Sequence, residues 1–152
     1  MIERIKDKME TSESGYDITP LSADAIERLA QDLNEEEHRI LLDHGTEPAF
    51  CGTLLDNKMD GVYACRLCGL PLFSSDKKFH SGTGWPSFTR PLDPEHLVLK
   101  TDTKLGMART EVLDARSGAH LGHVFDDGPA PTGLRYCMNS AALKLVPKPT
   151  GE

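Results

Sequence analysis

Gly118-Ala-His-Leu-Gly-His-Val-Phe-Asp-Asp-Gly-Pro-Ala-Pro-Thr-Gly-Leu-Arg-Tyr-Cys-Met-Asn-Ser140 reads as strand, Pro/Gly-rich turn, strand. On the second strand, Leu134 to Ser140, side chains two apart point the same way. Arg135, Cys137 and Asn139 then share one face, and Tyr136 and Met138 the other. A cation beside a thiol favours the thiolate, the form that attacks. His120 and His123 are three apart, which on a regular strand puts them on opposite faces. Gly122 between them would permit a bulge that brings both rings round together. A cysteine nucleophile surrounded by His, Asn and Arg is the chemical reading. A buried structural cysteine with two ordinary surface histidines is the plain one. The density of polar, reactive groups favours chemistry.

Outward from this stretch, 152 residues suit a single domain with a real core. A net charge of −7, with no Lys/Arg cluster, argues against a nucleic-acid or membrane partner. The first ten residues mix both charge signs and lack an apolar run, so no secretory signal is expected. A cytoplasmic location with reduced thiols follows. Four cysteines there suggest metal or redox chemistry before structural disulfides.

Residues 1–19 are polar and read as a flexible lead-in. Ser22 can cap a helix whose stripe is Ile26, Leu29, Ala30 and Leu33. Asn34 with Glu37 reads as a second start, Ile40, Leu41 and Leu42 as its buried side and Gly45 as its end. After Pro48 the segments become short, alternating and Gly/Pro-punctuated, the pattern of a mostly antiparallel β fold. Strands are expected at 61–66, 70–73, 97–100, 108–113, 120–125, 134–140 and 141–146. The domain runs over 20–147, helical at 20–45 and β at 48–147, with 148–152 a tail.

Three other features bear on function. Cys65-Arg-Leu-Cys68 is half of a zinc knuckle, but closed zinc sites want four ligands and no second pair exists. No metal and no cofactor are therefore expected. Ser81-Gly-Thr-Gly-Trp-Pro-Ser-Phe88 holds the only Trp, in a loop that could set the indole at the wall of a pocket for a small methyl-bearing group. Cys51 lies in a loop after the helices, a more mobile partner for an oxidised Cys137 than Cys65 or Cys68.

The motifs His44-Gly-Thr-Glu47, Gly61 to Cys68, Lys78 to Phe88, His120 to Phe125 and Arg135 to Ser140 together resemble the type B methionine sulfoxide reductases. The resemblance implies two antiparallel sheets meeting like a tent, with helices packed outside. It implies reduction of methionine-R-sulfoxide in oxidised peptides and proteins. By position, Cys137 matches the nucleophile and Trp85 the indole that grips the substrate methyl. His120, His123 and Asn139 match the groups that orient the sulfoxide. Arg135 and Asp127 match charged residues bordering the site, and Phe125 belongs to the same substrate-binding set. A sulfenic acid on Cys137 would be discharged by a second thiol and the disulfide reopened by thioredoxin.

Two departures make this member particular. Asp114 and Ser117 stand where many members carry a second CxxC for zinc. Thr83 stands where many place the recycling cysteine. That promotes Cys51 as the recycling thiol, with direct reduction of the sulfenic acid by an external thiol as the rival. The competing functions are a zinc-knuckle or peptide-binding module without turnover, and a reductase of another small sulfoxide.

Overall fold

The computed structural model describes residues 10–103, 106 and 108–147. Among these residues two helices come first. Helix α1 (Ala23–Ala30) begins where the Ser22 hydroxyl accepts the Ala25 N–H at 3.1 Å. Helix α2 (Glu35–Asp43) begins at a reciprocal box: Asn34 Oδ1 takes the Glu37 N–H, and the Glu37 carboxylate takes the Asn34 N–H. Both devices satisfy N–H groups that a helix start leaves unpaired. Helix α2 buries Ile40 and Leu41 in the core. Its end differs from expectation by one residue. His44, not Gly45, takes the left-handed cap at φ 58°, because its imidazole is drawn inward to Glu111.

The β body forms two antiparallel sheets. The smaller has order β2-β1-β9, from β1 (Gly61–Cys65), β2 (Pro71–Ser74) and β9 (Leu143–Pro147). The larger has order β3-β4-β8-β7-β6-β5. Its strands are β3 (Lys78–Phe79), β4 (Ser87–Phe88), β5 (Leu97–Asp102), β6 (Arg109–Asp114), β7 (His120–Phe125) and β8 (Arg135–Met138). The expected class, mainly β with two antiparallel sheets and outer N-terminal helices, is the one observed. Strands β3 and β4 were not expected, since the stretch around Trp85 reads as loop.

An aromatic seam joins the sheets. Phe73 of the small sheet stacks on Phe88 of the large one at 4.4 Å between centroids, Tyr63 meets Phe88 edge-on at 5.1 Å, and Phe73 leans on Tyr136 at 5.7 Å. All are buried, and such pairs contribute beyond their buried area.

Of the expected flexible lead-in, residues 10–19 are pinned. Ser14 donates backbone and hydroxyl to the Asp93 carboxylate at 2.9 and 2.6 Å, and Arg116 Nε donates to the Thr19 carbonyl at 2.9 Å. Residues 1–9 and the expected tail at 148–152 lie outside the described residues.

Candidate active site

Strand β8 carries the thiol. Its side chains alternate, with Arg135 and Cys137 partly exposed and Tyr136 and Met138 buried. Cys137 is flanked by Ser87 of β4 on one side and His123 of β7 on the other. Strand β7 is bulged. Val112 pairs with Gly122 and Leu113 with His120, so Leu121 is the extra residue. The bulge lets residues three apart turn the same way, and the His120 and His123 rings sit 5.4 Å apart. Gly122 has a further duty. A Cβ there would collide with the carbonyl of Cys137, so only glycine lets β8 lie this close.

A cavity of about 210 Å³ opens over Cys137, lined by Thr46, Thr83, Trp85, Arg109, His123, Phe125, Arg135, Met138 and Asn139 besides the cysteine. Trp85 is half-buried and its indole N–H donates to the Glu47 carbonyl at 2.9 Å, which fixes the ring as a wall. Arg135 lies 4.5 Å above the Phe125 ring and grips Asp127 with two hydrogen bonds of 2.8 and 3.0 Å. Asp127 therefore reaches the site through Arg135 rather than as a wall of the cavity.

Each histidine is backed by an acid. His123 Nε2 meets Asp102 at 2.8 Å, and Asp102 also takes Arg109 at 3.3 Å. The Nε2 proton of a neutral His123 thus faces the acid. His120 lies behind His123, outside the cavity lining. Its Nδ1 meets Glu111 Oε2 at 2.7 Å, and His44 Nδ1 reaches the same oxygen at 2.5 Å. Burial pushes the His120 pKa down against the opposing pull of Glu111. Asn139 is buried and braced: its Oδ1 accepts the Glu47 N–H at 2.9 Å and its Nδ2 donates to the Leu121 carbonyl at 3.0 Å. One amide proton of Asn139 remains for other work.

The thiol itself is less activated than the sequence suggests. Burial pushes the Cys137 pKa above its ordinary value, and the charge of Arg135 with the hydroxyl of Thr83 only partly offsets this. Arg135 is engaged by Asp127, and that acid's charge raises Cys137 further. Cys137 in the free protein is thus held mainly as a thiol, its proton retained.

Cys51 is exposed and lines not this cavity but an adjacent groove of about 380 Å³, together with Glu47, Gly52 and Ser140. The structure does not bring Cys51 into the lining around Cys137. Sequence reasoning missed Arg109 as a wall residue and Glu47, Asp102 and Glu111 as supports. The only signal for Glu47 was its place in His44-Gly-Thr-Glu47.

Among the described residues, two clusters have metal-ligating types. His44, Glu111 and His120 hold one another with the imidazole protons directed at one carboxylate oxygen. Cys65, Cys68 and Asp114 form the other. Asp114 is fully buried and takes Cys65 at 3.2 Å, Cys68 at 3.4 Å, the N–H groups of Arg116 and Ser117 at 2.8 and 2.7 Å, and the Ser117 hydroxyl. Burial, Cys68 and Asp114 together push the Cys65 thiol well up. A closed zinc site wants four free ligands, usually thiolates or imidazoles. Among the described residues this cluster offers three ligands rather than four, and the Asp114 carboxylate already accepts the N–H groups of Arg116 and Ser117 and the Ser117 hydroxyl, so it falls short of a closed zinc site.

Comparison with known proteins agrees with the geometry. The family model described as SelR domain matches residues 33–147. The chain belongs to the SelR domain family. A relative in Xylella fastidiosa (strain 9a5c), "Peptide methionine sulfoxide reductase MsrB", is 56% identical over 135 residues, covering 89% of this chain and 87% of that protein. A protein of the same name in Caulobacter vibrioides (strain NA1000 / CB15N) is 56% identical over 89% of this chain and 85% of its own length. A third, in Thiobacillus denitrificans, is 56% identical over 77% of this chain and 89% of that protein. The SelR domain match spans α2 and every strand described above.

Proposed function

We propose that this SelR-family chain reduces methionine-R-sulfoxide in peptides and proteins to methionine, with Cys137 as nucleophile. The observation that carries the reading is a partly buried thiol at a small cavity whose wall is a fixed indole. The substrate's S-methyl group packs on Trp85, with Phe125 completing the apolar side. Its oxygen faces the polar side, where His123, Asn139 and Arg135 stand. A sulfoxide is a poor electrophile until its oxygen is protonated or strongly hydrogen-bonded. The spare Asn139 amide proton and the Arg135 guanidinium donate to it. His123 does so when its second ring nitrogen is also protonated, a form that Asp102 favours. His120 acts from behind through His123.

Cys137 sulfur attacks the sulfoxide sulfur, oxygen passes to Cys137 with the thiol proton, and methionine leaves. The enzyme keeps a sulfenic acid. The Cys51 thiol then condenses with it, forming the Cys51–Cys137 disulfide and releasing water. A dithiol protein such as thioredoxin reopens it by exchange. Cys51 must cross from its groove, and the loop has a physical reason to rearrange. Exposed Phe50 is held at φ 66°, a conformation that strains an aromatic residue. Among the described residues no helix is long and apolar enough to cross a membrane. Four free cysteines suit a reducing compartment such as the cytoplasm.

The test follows both epimers of a blocked methionine sulfoxide with wild type, Cys137→Ser and Cys51→Ser, using dithiothreitol and thioredoxin in parallel. Cys137→Ser should lose activity with both reductants, and Cys51→Ser with thioredoxin alone. Equal consumption of the two epimers by wild type would overturn the stereochemical assignment. A persistent Cys137 sulfenic acid, with no Cys51–Cys137 peptide by mass spectrometry, would overturn the recycling route.

A further inference from the structure

The turn after α2 carries a buried acid that the reaction as described does not use. Glu47 is only 3% exposed and spends four polar atoms on the site. Its N–H donates to Asn139 Oδ1 at 2.9 Å, and its carbonyl accepts the Trp85 indole N–H at 2.9 Å. Its carboxylate accepts the N–H groups of Ser140 at 2.8 Å and Ala141 at 3.0 Å, one on each oxygen. Those two N–H groups open the short 3-10 turn Ser140–Ala142, which follows β8 directly, and a helical start leaves such donors unpaired. A carboxylate there makes charge-assisted bonds and locks the position of the strand end.

The loop bearing Cys51 rests on the same group. A Cβ on Gly52 would collide with Glu47 Oε2 and Ser140 Oγ, and that hydroxyl also accepts the Leu54 N–H at 3.3 Å. Three stretches far apart in sequence, the loop of residues 47–54, Trp85 and residues 139–141, thus meet at Glu47.

We infer that Glu47 is a positioning residue, whose carboxylate anchors the end of the Cys137 strand while its backbone holds Trp85 and Asn139 at the distances the substrate needs. The inference rests on the sulfoxide reductase reading above. Its consequence is specific. The bonds to Trp85 and Asn139 come from the Glu47 backbone, so a side-chain change removes neither directly. It frees the anchor, and the indole and amide drift together. Substrate affinity suffers before the chemistry at Cys137 does.

Glu47→Gln is nearly isosteric but turns one acceptor oxygen into an N–H₂ group facing an N–H donor. Trp85 is the only Trp, so its emission reports the wall directly. The experiment compares full-length wild type, Glu47→Gln and Glu47→Asp by far-UV circular dichroism, by indole emission without substrate, and by kcat and KM for the R epimer with dithiothreitol. The expected Glu47→Gln protein is folded, has red-shifted emission, and loses about tenfold to a hundredfold in kcat/KM, carried mainly by KM. Glu47→Asp keeps both oxygens on a shorter stem and should fall between the two. Folded Glu47→Gln with wild-type emission and KM would overturn the inference. Were that variant unable to fold, wild-type emission and KM in Glu47→Asp would do so equally. Shifted emission in the variants, with a wild type inactive on both epimers, would support the anchoring role and overturn the proposed activity instead.

Discussion

Arg135 stands between Asp127 and Cys137, and the acid holds it with two hydrogen bonds. The thiol is correspondingly little helped: burial raises its pKa, Arg135 lowers it, and Asp127 raises it again. Replacing Asp127 by Asn removes the opposing charge and releases Arg135, so the Cys137 pKa should fall. At neutral pH, below that pKa, a fall means more thiolate. Alkylation of Cys137 by iodoacetamide should therefore quicken by about twofold to fivefold, with the midpoint of its pH profile displaced downward and the gain shrinking in high salt. An unchanged or raised midpoint would show that Arg135 does not govern the thiol. The groups that line the cavity were legible in the sequence because motif and strand alternation name them directly, as with Cys137, Arg135 and Trp85. The acids behind them were not. Glu47, Asp102 and Glu111 are among 24 Asp and Glu residues, and nothing local tells which few are buried against distant partners.

At the scale of elements, caps were the clearest signals. Ser22 and the Asn34–Glu37 box start their helices where their hydrogen-bonding chemistry requires. The end of α2 moved to His44 because a tertiary contact with Glu111 outweighs glycine's preference for that conformation. Strands β3 and β4 have two residues each and exist only through pairing, β3 with β4 and β4 with β8, so no periodicity could reveal them. The β1–β2 turn and the β6–β7 turn are joined through Asp114, which gathers the Cys65, Cys68 and Ser117 protons. Replacing Asp114 and Ser117 together by cysteine would supply four thiols in place of two thiols and their acceptor. That double variant should purify with about one zinc per chain by elemental mass spectrometry, and the parent with none. Stoichiometric zinc in the parent would contradict the reading of Asp114 as a saturated acceptor.

For the whole molecule, the class was legible from punctuation and alternation after Pro48. The division into two sheets came from the family resemblance and not from the periodicity, because it depends on which strands meet across the aromatic seam. Phe88 is the hinge of that packing, fully buried between Tyr63 and Phe73 and only three residues from Trp85. Phe88→Ala should cost about 3–5 kcal/mol of stability by urea denaturation, a large part of what a domain of this size possesses. A loss under about 1 kcal/mol would mean that the sheets are held elsewhere.

Gly122 has a consequence for how such a protein can diverge. The carbonyl of Cys137 occupies the space that any side chain at position 122 would need. Variation can reach the nucleophile from the front, where the side chains of Thr46 and Thr83 border the cleft. From the rear it meets backbone, which has no alternative rotamer to offer. Descendants of this sequence are therefore free to retune which sulfoxides enter, while the seat of the sulfur that attacks them stays beyond the reach of single substitutions.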